Sequence, residues 1–168
     1  MVHGDISMFE GGAMCSYFID QFDVERKLLP RDPDAVAKYY LFNAWCASTL
    51  DNLIAMTSPL QIALPLGTAP PAGSEELHRK YFLEQAAPYV TKELRRSGGD
   101  FICGQCFTAA DIVLGFLLIF AKRRFGWISS EATPELDAYV EILAARPAFQ
   151  RATAPIDAAA AVQSLVRE

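Results

Sequence analysis

The sequence lacks the features that direct a chain into or across a membrane. A helix needs about 20 consecutive apolar residues to cross a bilayer, and the most apolar stretch, residues 112–121, is much shorter. The first residues, MVHGD, have neither the basic nor the apolar region of a signal peptide. Basic residues also form no long cluster, and the net charge is −5. These absences argue against a nucleic-acid or membrane partner and predict a soluble, cytoplasmic protein.

Cysteine and histidine are scarce. The four cysteines are too few and too irregularly spaced for a disulfide scaffold, so we expect reduced thiols. Cys103 and Cys106 form a C-x-x-C pair, a pattern that can hold a reactive thiolate or half of a zinc site. No second pair exists, and both cysteines precede the expected start of the next helix rather than lying in its first turn. We interpret this pair as coincidental and predict no metal site.

Alternation with period two, the mark of a strand, is almost absent. It occurs only in residues 2–9, where His3, Gly4 and Asp5 would form the turn of a short hairpin. From Gly12 onward apolar residues recur at helical spacing. Residues 27–33 then break the pattern with two prolines and alternating charge, as linkers do. The pattern predicts an all-α protein in which a small N-terminal piece, residues 1–26, is joined by this linker to a helical domain, residues 34–168.

The helical domain should contain five or six helices. Asp32 as N-cap and Pro33 at the first position begin a helix that runs to about Ser58. Ser74 as N-cap begins a second helix, which is bent by Pro88 and ends in a basic turn before Gly98. Its inward side chains are expected to be Leu77, Tyr81, Tyr89 and Leu94. The remaining helices are expected after Thr108, from Thr133 to Arg146, at 148–153 and at 156–166.

The segment FTAADI, residues 107–112, carries the clearest local signal. Thr108 at the N-cap and Asp111 at the third helical position have the spacing of a capping box, and Phe107 and Ile112 have the spacing of a hydrophobic staple. The residues that follow are apolar on every side of a helix, which predicts a position in the middle of the core. This spacing explains Asp111 as a structural rather than a catalytic acid.

These motifs resemble those of a known family. Residues 101–112, FICGQCFTAADI, are similar to the capping-box segment of the glutathione S-transferase C-terminal domain, and residues 146–149, RPAF, are similar to its usual late element. Upstream, residues 9–14, FEGGAM, resemble the Glu-Ser-x-Ala-Ile segment of the family, followed by Tyr17 and by LLP at 28–30. The resemblance covers nearly the whole chain but does not define a class within the family.

The resemblance implies a thioredoxin-like N-terminal domain, an all-helical C-terminal domain, a homodimer, and conjugation of the glutathione thiolate to small electrophiles. Only the last hairpin and helix of the thioredoxin-like domain have counterparts here, so residues 1–26 are expected to be a truncated remnant. The Ser, Tyr or Cys that acts on the glutathione sulfur in this family has no counterpart. We therefore expect no catalytic residue and no conjugating activity from this chain alone. The alternative is a non-catalytic interaction module, as similar domains of some translation factors and synthetases are.

Several candidate binding residues follow from the same resemblance. Glu10 matches the carboxylate that meets the γ-glutamyl ammonium of glutathione, and Gly11 matches a Ser that binds the γ-glutamyl carboxylate at a helix N-terminus. Glycine keeps the N–H but lacks the hydroxyl. The first long helix resembles the one that lines the electrophile pocket, which makes candidates of Trp45, Cys46, Ser48 and Thr49. For Trp45, a place in the core is the simpler interpretation.

The N-terminal helix raises a packing question. Met14, Tyr17 and Phe18 would face a sheet in the family, and most of that sheet has no counterpart here. Leaving three large side chains exposed would forgo several kcal/mol of burial, on the order of 2 kcal/mol for each. We expect them to pack on the helical domain or on a second chain.

Overall fold

The computed structural model describes residues 1–29, 31–54 and 71–154. Within these ranges the chain is helical apart from one hairpin, as the sequence predicts. The elements, in chain order, are β1 (Val2–His3), β2 (Ile6–Ser7), α1 (Gly11–Phe22), α2 (Pro33–Trp45), a π-helical turn (Cys46–Leu50), α3 (Asp51–Ile54), α4 (Ser74–Tyr81), a second π-helical turn (Phe82–Ala86), α5 (Ala87–Ser97), α6 (Ala109–Phe125) and α7 (Pro134–Ala144). Residues 147–154 are also helical. The last residues of the helix predicted to run to about Ser58 and the helix predicted at 156–166 lie outside the described residues.

The N-terminal hairpin is short and packs on α1. Its strands are antiparallel, with Val2 opposite Ser7 and His3 opposite Ile6, and Gly4 takes a positive φ of 57° in the turn. The predicted turn is thus one residue shorter, because His3 belongs to β1. The His3 ring packs against Phe22, and His3 Nδ1 lies 2.8 Å from the hydroxyl of Tyr17. These contacts attach the hairpin to α1.

Helix α1 joins the same core as the rest of the chain through its opposite face. Ile19 is buried and Cys15 is half-buried against the common hydrophobic cluster. The side chains expected to make this contact do not make it: Tyr17 lies against the hairpin, and Phe18 is 47% exposed. Tyr17 thus faces the remaining hairpin, as the family resemblance implies, and the opposite face of α1 packs on the helical domain. Packing of Phe18 on a second chain stays a prediction.

The segment after α1 is held in place by backbone hydrogen bonds. The Asp23 carboxylate accepts from the N–H groups of Lys27, Leu28 and Leu29 at 2.8 to 2.9 Å. Leu29 is buried, and the carbonyl of Leu28 accepts from the N–H of Ala109 at 2.7 Å. The segment predicted as a linker thus anchors the start of α6, and residues on both sides of it share one hydrophobic core.

Two helices are interrupted by π-helical turns, which no periodicity in the sequence indicates. Helix α2 begins at the predicted cap, where Asp32 accepts from Ala35 N at 2.8 Å, and it continues directly into the first π-helical turn. The turn Phe82–Ala86 ends two residues before Pro88. A proline in a helix lacks its N–H and its ring clashes with the carbonyl four residues earlier, and a wider turn relieves both problems. The expected bend at Pro88 is therefore a local change of helix type.

The second helix begins one residue earlier than predicted and packs on a different face. Gly73, in the left-handed region at φ 83°, is the N-cap in place of Ser74. Leu77 and Tyr81 are 66% and 49% exposed, so the expectation that they point inward is wrong. The cause is that α4 lies at the edge of the molecule and buries none of its residues. The inward face begins in the π-helical turn and is formed by Phe82, Ala86, Val90 and Leu94.

Helix α6 is the centre of the core, with one departure. Most of its apolar residues are buried, and Gly115 lets it approach α7, since a Cβ there would lie 2.5 Å from Leu143 Cδ1. However, Ile112, Phe116 and Phe120, spaced four residues apart, are 40%, 65% and 42% exposed. The prediction that this helix is surrounded on every side is therefore wrong for one stripe, and part of that stripe lines the cavity described below.

Asp111 organises the start of α6. The reciprocal capping box of Thr108 and Asp111 is present, with Thr108 N donating to Asp111 Oδ2 at 2.8 Å and the Thr108 hydroxyl at 2.9 Å from the same oxygen. Asp111 Oδ1 accepts from Ile102 N at 2.9 Å and from the Tyr139 hydroxyl at 2.8 Å. The Asp111 carboxylate therefore connects the preceding loop and α7 to the start of α6, in addition to capping α6.

Phe107 precedes the N-cap of α6, and its spacing from Ile112 predicts a hydrophobic contact between the two side chains. Its ring contacts Phe101 at a centroid distance of 5.8 Å, and the Arg146 guanidinium lies 3.4 Å from its centroid. Ile112 is 40% exposed. The staple between Phe107 and Ile112 stays a prediction, while Phe101 and Arg146 are the partners that the structure gives to Phe107.

Candidate functional site

A cavity of about 440 Å³ opens between α1, α6 and the helix that runs from α2 through its π-helical turn. Both candidate glutathione-binding residues and one of the four candidates for the electrophile pocket line it. The lining residues are Glu10, Gly11, Gly12, Cys15, Asn43, Cys46, Ala47, Asp51, Ile112, Val113, Phe116 and Leu117. One side of the cavity is thus polar and the other, formed by α6, is apolar.

Glu10 stands at the cavity in a strained backbone conformation. Its φ of 71° and ψ of 111° lie where residues other than glycine rarely occur. Such a conformation costs about 1–3 kcal/mol and persists at ligand sites because the surrounding structure enforces it. Here it fixes the position of Glu10 immediately before the first turn of α1.

The first turn of α1 has no side-chain cap. Glu10 occupies the N-cap position, and its side chain makes no capping hydrogen bond. The first N–H groups of a helix lack intrahelical partners and favour a negatively charged group. A Cβ built at Gly11 would meet no atom within 4 Å, so the space beside this first turn is open.

Polar side chains between α1 and α2 hold this turn against the cavity. The Ser16 hydroxyl donates to the carbonyl of Gly12 at 3.0 Å, lies 2.7 Å from the Tyr39 hydroxyl, and accepts from Asn43 Nδ2 at 3.3 Å. A Cβ at Gly12 would collide with Asn43 Oδ1, so a larger residue there would displace the Asn43 side chain. The network sets the distance between the two helices and hence the mouth of the cavity.

The π-helical turn Cys46–Leu50 decides which residues of the first long helix reach the cavity. Cys46, Ala47 and Asp51 line it. Trp45 instead packs on Phe42 and Tyr89, with centroids 6.0 and 5.1 Å apart, while the hydroxyls of Ser48 and Thr49 lie 3.3 Å from each other. Of the four pocket candidates on this helix, the structure brings only Cys46 to the cavity.

Several lining residues escaped the sequence analysis. Cys15, Asn43, Asp51 and Phe116 belong to no recognised motif. The exposed stripe of α6 was recognisable in principle, because Ile112 and Phe116 share a face at a spacing of four. Asp51 was not, since its position depends on the π-helical turn.

The thiols of the cavity are poor nucleophiles. Burial raises the pKa of Cys46 to about 12, with a further rise from the negative charge of Asp51. Burial also raises the pKa of Cys15, although a hydrogen bond with Tyr39 opposes the shift. Both thiols are protonated at neutral pH. The cavity lining, taken from the residues that the structure describes, contains no serine, threonine or tyrosine and no cationic side chain.

The raised pKa of Cys46 predicts a loss of stability in alkali. Above pH 9.0, its ordinary pKa, the thiol ionises in the unfolded chain but keeps its proton in the folded one up to about pH 12. The unfolded state then binds fewer protons, so the free energy of unfolding falls by about 1.4 kcal/mol per pH unit for this group. Urea unfolding at a series of pH values measures the slope. We expect Cys46→Ala to reduce it and Cys106→Ser, at an exposed thiol, to leave it unchanged; equal slopes for Cys46→Ala and the parent would contradict this.

The C-x-x-C pair lies away from this cavity. Burial raises the pKa of Cys103, and its Sγ is 3.9 Å from the carbonyl oxygen of Ala35. Cys106 is exposed. A raised pKa is the opposite of what a redox thiolate requires. Among residues 1–29, 31–54 and 71–154, no group of side chains is suited to hold a metal ion.

Comparison with known proteins identifies the family. The sequence profile of the glutathione S-transferase C-terminal domain matches residues 58–147, more than half of the chain. The chain therefore belongs to the glutathione S-transferase family.

Two crystal structures are similar over most of the chain. A glutathione S-transferase from Actinobacillus pleuropneumoniae is 25% identical, with a TM-score of 0.69 over 93% of this chain and 67% of that one. A glutathione S-transferase from Rhodospirillum rubrum F11 has the same fold, with 19% identity and a TM-score of 0.69 over 89% of this chain and 67% of that one. No curated protein sequence matches. In the described part of the chain, no helix is both long and apolar enough to span a bilayer.

Proposed function

We propose that the cavity is the ligand site of a glutathione transferase-like protein, in which Glu10 and Gly11 bind the γ-glutamyl end of glutathione and the α6 wall binds a small apolar electrophile. The observation that carries this proposal is the strained backbone of Glu10 at the N-terminus of α1, beside the cavity. Strain of this kind is maintained at functional positions. The family membership gives the ligand its identity.

The chemistry of the two positions is complementary to an amino acid head group. The Glu10 carboxylate can accept charge-assisted hydrogen bonds from an ammonium group. The uncapped N–H groups at the start of α1, including that of Gly11, can donate to a carboxylate. A γ-glutamyl group carries an ammonium and a carboxylate on one carbon, so it can use both.

The same cavity offers little to activate a thiol. A glutathione thiol is mostly protonated at neutral pH and reacts as the thiolate, so a transferase needs a group that stabilises the anion. The described lining residues supply no hydroxyl and no cation, and the two thiols have raised pKa values. We therefore propose that the 168-residue chain by itself binds glutathione weakly and does not conjugate it.

The absence of conjugation is tested by a rate measurement. Glutathione and a chlorodinitrobenzene are mixed with the purified chain at several protein concentrations, and the thioether product is followed by absorbance. We expect the rate to equal that of the reaction without protein. A rate that rises with protein concentration and saturates with glutathione would refute the proposed inactivity; the heat-denatured chain is the control for nonspecific thiol chemistry.

A homodimer or another protein contact is part of the proposal, because the N-terminal residues 1–22 carry exposed apolar side chains. Phe9, Phe18 and Phe22 are 82%, 47% and 53% exposed. A cluster of this kind favours an interaction surface, which would also serve the alternative role as an interaction module. Sedimentation velocity tests the dimer: a monomer at micromolar concentration would exclude it. A cytoplasmic location is likewise proposed and follows from the sequence alone.

A further inference from the structure

We propose that the cavity selects ligands that carry a positive charge beside an apolar body, and that Asp51 is the residue responsible for this selectivity. The inference rests on the proposed function, because it names the class of second ligand that the α6 wall would take. It concerns residues that the family resemblance did not mark.

The π-helical turn places Asp51 in the cavity. The N–H of Asp51 donates to the carbonyl of Cys46, five residues earlier, instead of the residue four earlier as in an α-helix. This bond sets Asp51 above Cys46 along one side of the helix, and both residues line the cavity. Turns of this type occur frequently at functional sites. A regular helix would separate positions 46 and 51 around its circumference.

The charged side chains that line the cavity in the described structure are both acidic. They are Glu10 and Asp51, and no lysine, arginine or histidine is among the lining residues that the structure describes. Neither carboxylate forms an ion pair with a residue in the described ranges. The two thiols, Cys15 and Cys46, have raised pKa values and stay neutral. A second ligand that carries a negative charge would therefore be repelled by the Asp51 carboxylate.

The opposite wall suits an apolar or aromatic body. Ile112, Val113, Phe116 and Leu117 of α6 line it. Phe116 is 65% exposed, so the face of its ring is available to a ligand. An aromatic face attracts a cation within about 6 Å of its centroid. Apolar surface, aromatic ring and carboxylate together recognise an aryl or alkyl ammonium compound.

Glu10 and Asp51 can each bind a different ligand at the same time. If Glu10 binds the ammonium of a γ-glutamyl group, Asp51 remains the only uncompensated charge in the lining that the structure describes, and it would interact with the second ligand. This division of roles makes Asp51 a specificity residue for the electrophile and leaves Glu10 to glutathione.

Three ligands of similar length and different charge test the inference. Phenylbutylamine, phenylbutanol and phenylbutanoate are titrated by calorimetry, or by NMR where binding is weak, into the parent chain, into Asp51→Asn and into Asp20→Asn. Asp20 is exposed on α1 outside the cavity, so its variant controls for the change in net charge. We expect the amine to bind about ten-fold more tightly than the carboxylate in the parent. The amine should lose roughly three-fold in affinity in Asp51→Asn and keep its affinity in Asp20→Asn.

The outcomes separate this inference from the proposed function. Equal binding of the three compounds, tighter binding of the carboxylate, no binding of any of them, or equal losses in Asp51→Asn and Asp20→Asn would overturn the inference. A parallel titration with glutathione alone reports on Glu10 and Gly11. If glutathione binds but the amine preference is absent, only the inference fails; if the amine preference is present but glutathione does not bind, the proposed function fails at its glutathione site. Added salt should reduce the amine preference, since the carboxylates are exposed.

Discussion

Replacement of Asp111 by alanine is expected to lower the free energy of unfolding by about 3–5 kcal/mol. The Asp111 carboxylate accepts hydrogen bonds from Thr108 N, Ile102 N and the Tyr139 hydroxyl at 2.8 to 2.9 Å. The substitution leaves these three donors without their acceptor. Asp111 and Thr108 are each only 1% exposed, so water cannot easily replace the lost carboxylate. An unsatisfied buried donor costs about 1–3 kcal/mol.

The measurement is chemical denaturation with matched variants. Thr108→Ala removes one hydroxyl and keeps the bonds from Thr108 N and Ile102 N, so its cost should be about 1–2 kcal/mol. Tyr139→Phe removes the donor from α7 and should be similarly mild. If Asp111→Ala costs no more than Thr108→Ala, the carboxylate acts only as a helix cap and the connection to α7 contributes nothing.

Features formed by neighbouring residues could be predicted from the sequence. The capping box at Thr108 and Asp111 and the Asp32 cap of α2 were predictable because each depends on side chains within a few residues of one another. The bonds from Ile102 and Tyr139 to Asp111 were not, because they join segments whose approach depends on how the whole chain packs. The all-helical fold followed from periodicity, which is also a local property.

The candidate site was only partly predictable, for a related reason. Glu10 and Gly11 could be named from a resemblance between short segments, and the structure places both at one cavity with Cys46. Trp45, Ser48 and Thr49 were named from their helix alone, and the π-helical turn directs Cys46, Ala47 and Asp51 to the cavity instead. A change of helix type shifts the face of every residue after it and leaves no mark in the apolar pattern.

Replacement of Glu10 by glycine is expected to make the protein more stable and its glutathione binding weaker. Without a Cβ, glycine adopts a φ of 71° at a lower cost than glutamate, so partial relief of a strain of about 1–3 kcal/mol should raise the free energy of unfolding by roughly 1 kcal/mol, after allowance for the greater freedom of glycine in the unfolded chain. Loss of the carboxylate should weaken binding about ten-fold or more, since a charge-assisted hydrogen bond to the ammonium disappears. If Glu10 had a purely structural role, its replacement would not raise stability and weaken glutathione binding at the same time.

Glu10→Gln separates the two contributions. Glutamine retains the backbone strain and the length of the side chain but carries no charge. We expect its stability to match that of the parent and its glutathione binding to match that of Glu10→Gly. A glutamine variant with parental affinity would show that the carboxylate does not contact the ammonium.

The most direct test of the account is therefore a titration of glutathione into the parent chain and into Glu10→Gly, followed by NMR at millimolar ligand. The proposed site predicts glutathione-dependent shifts of the amides from Glu10 to Ser16 in the parent, and their loss in a Glu10→Gly variant that unfolds at higher denaturant. No shifts in the parent, or equal affinity in both proteins, would contradict the assignment of this cavity as the glutathione site.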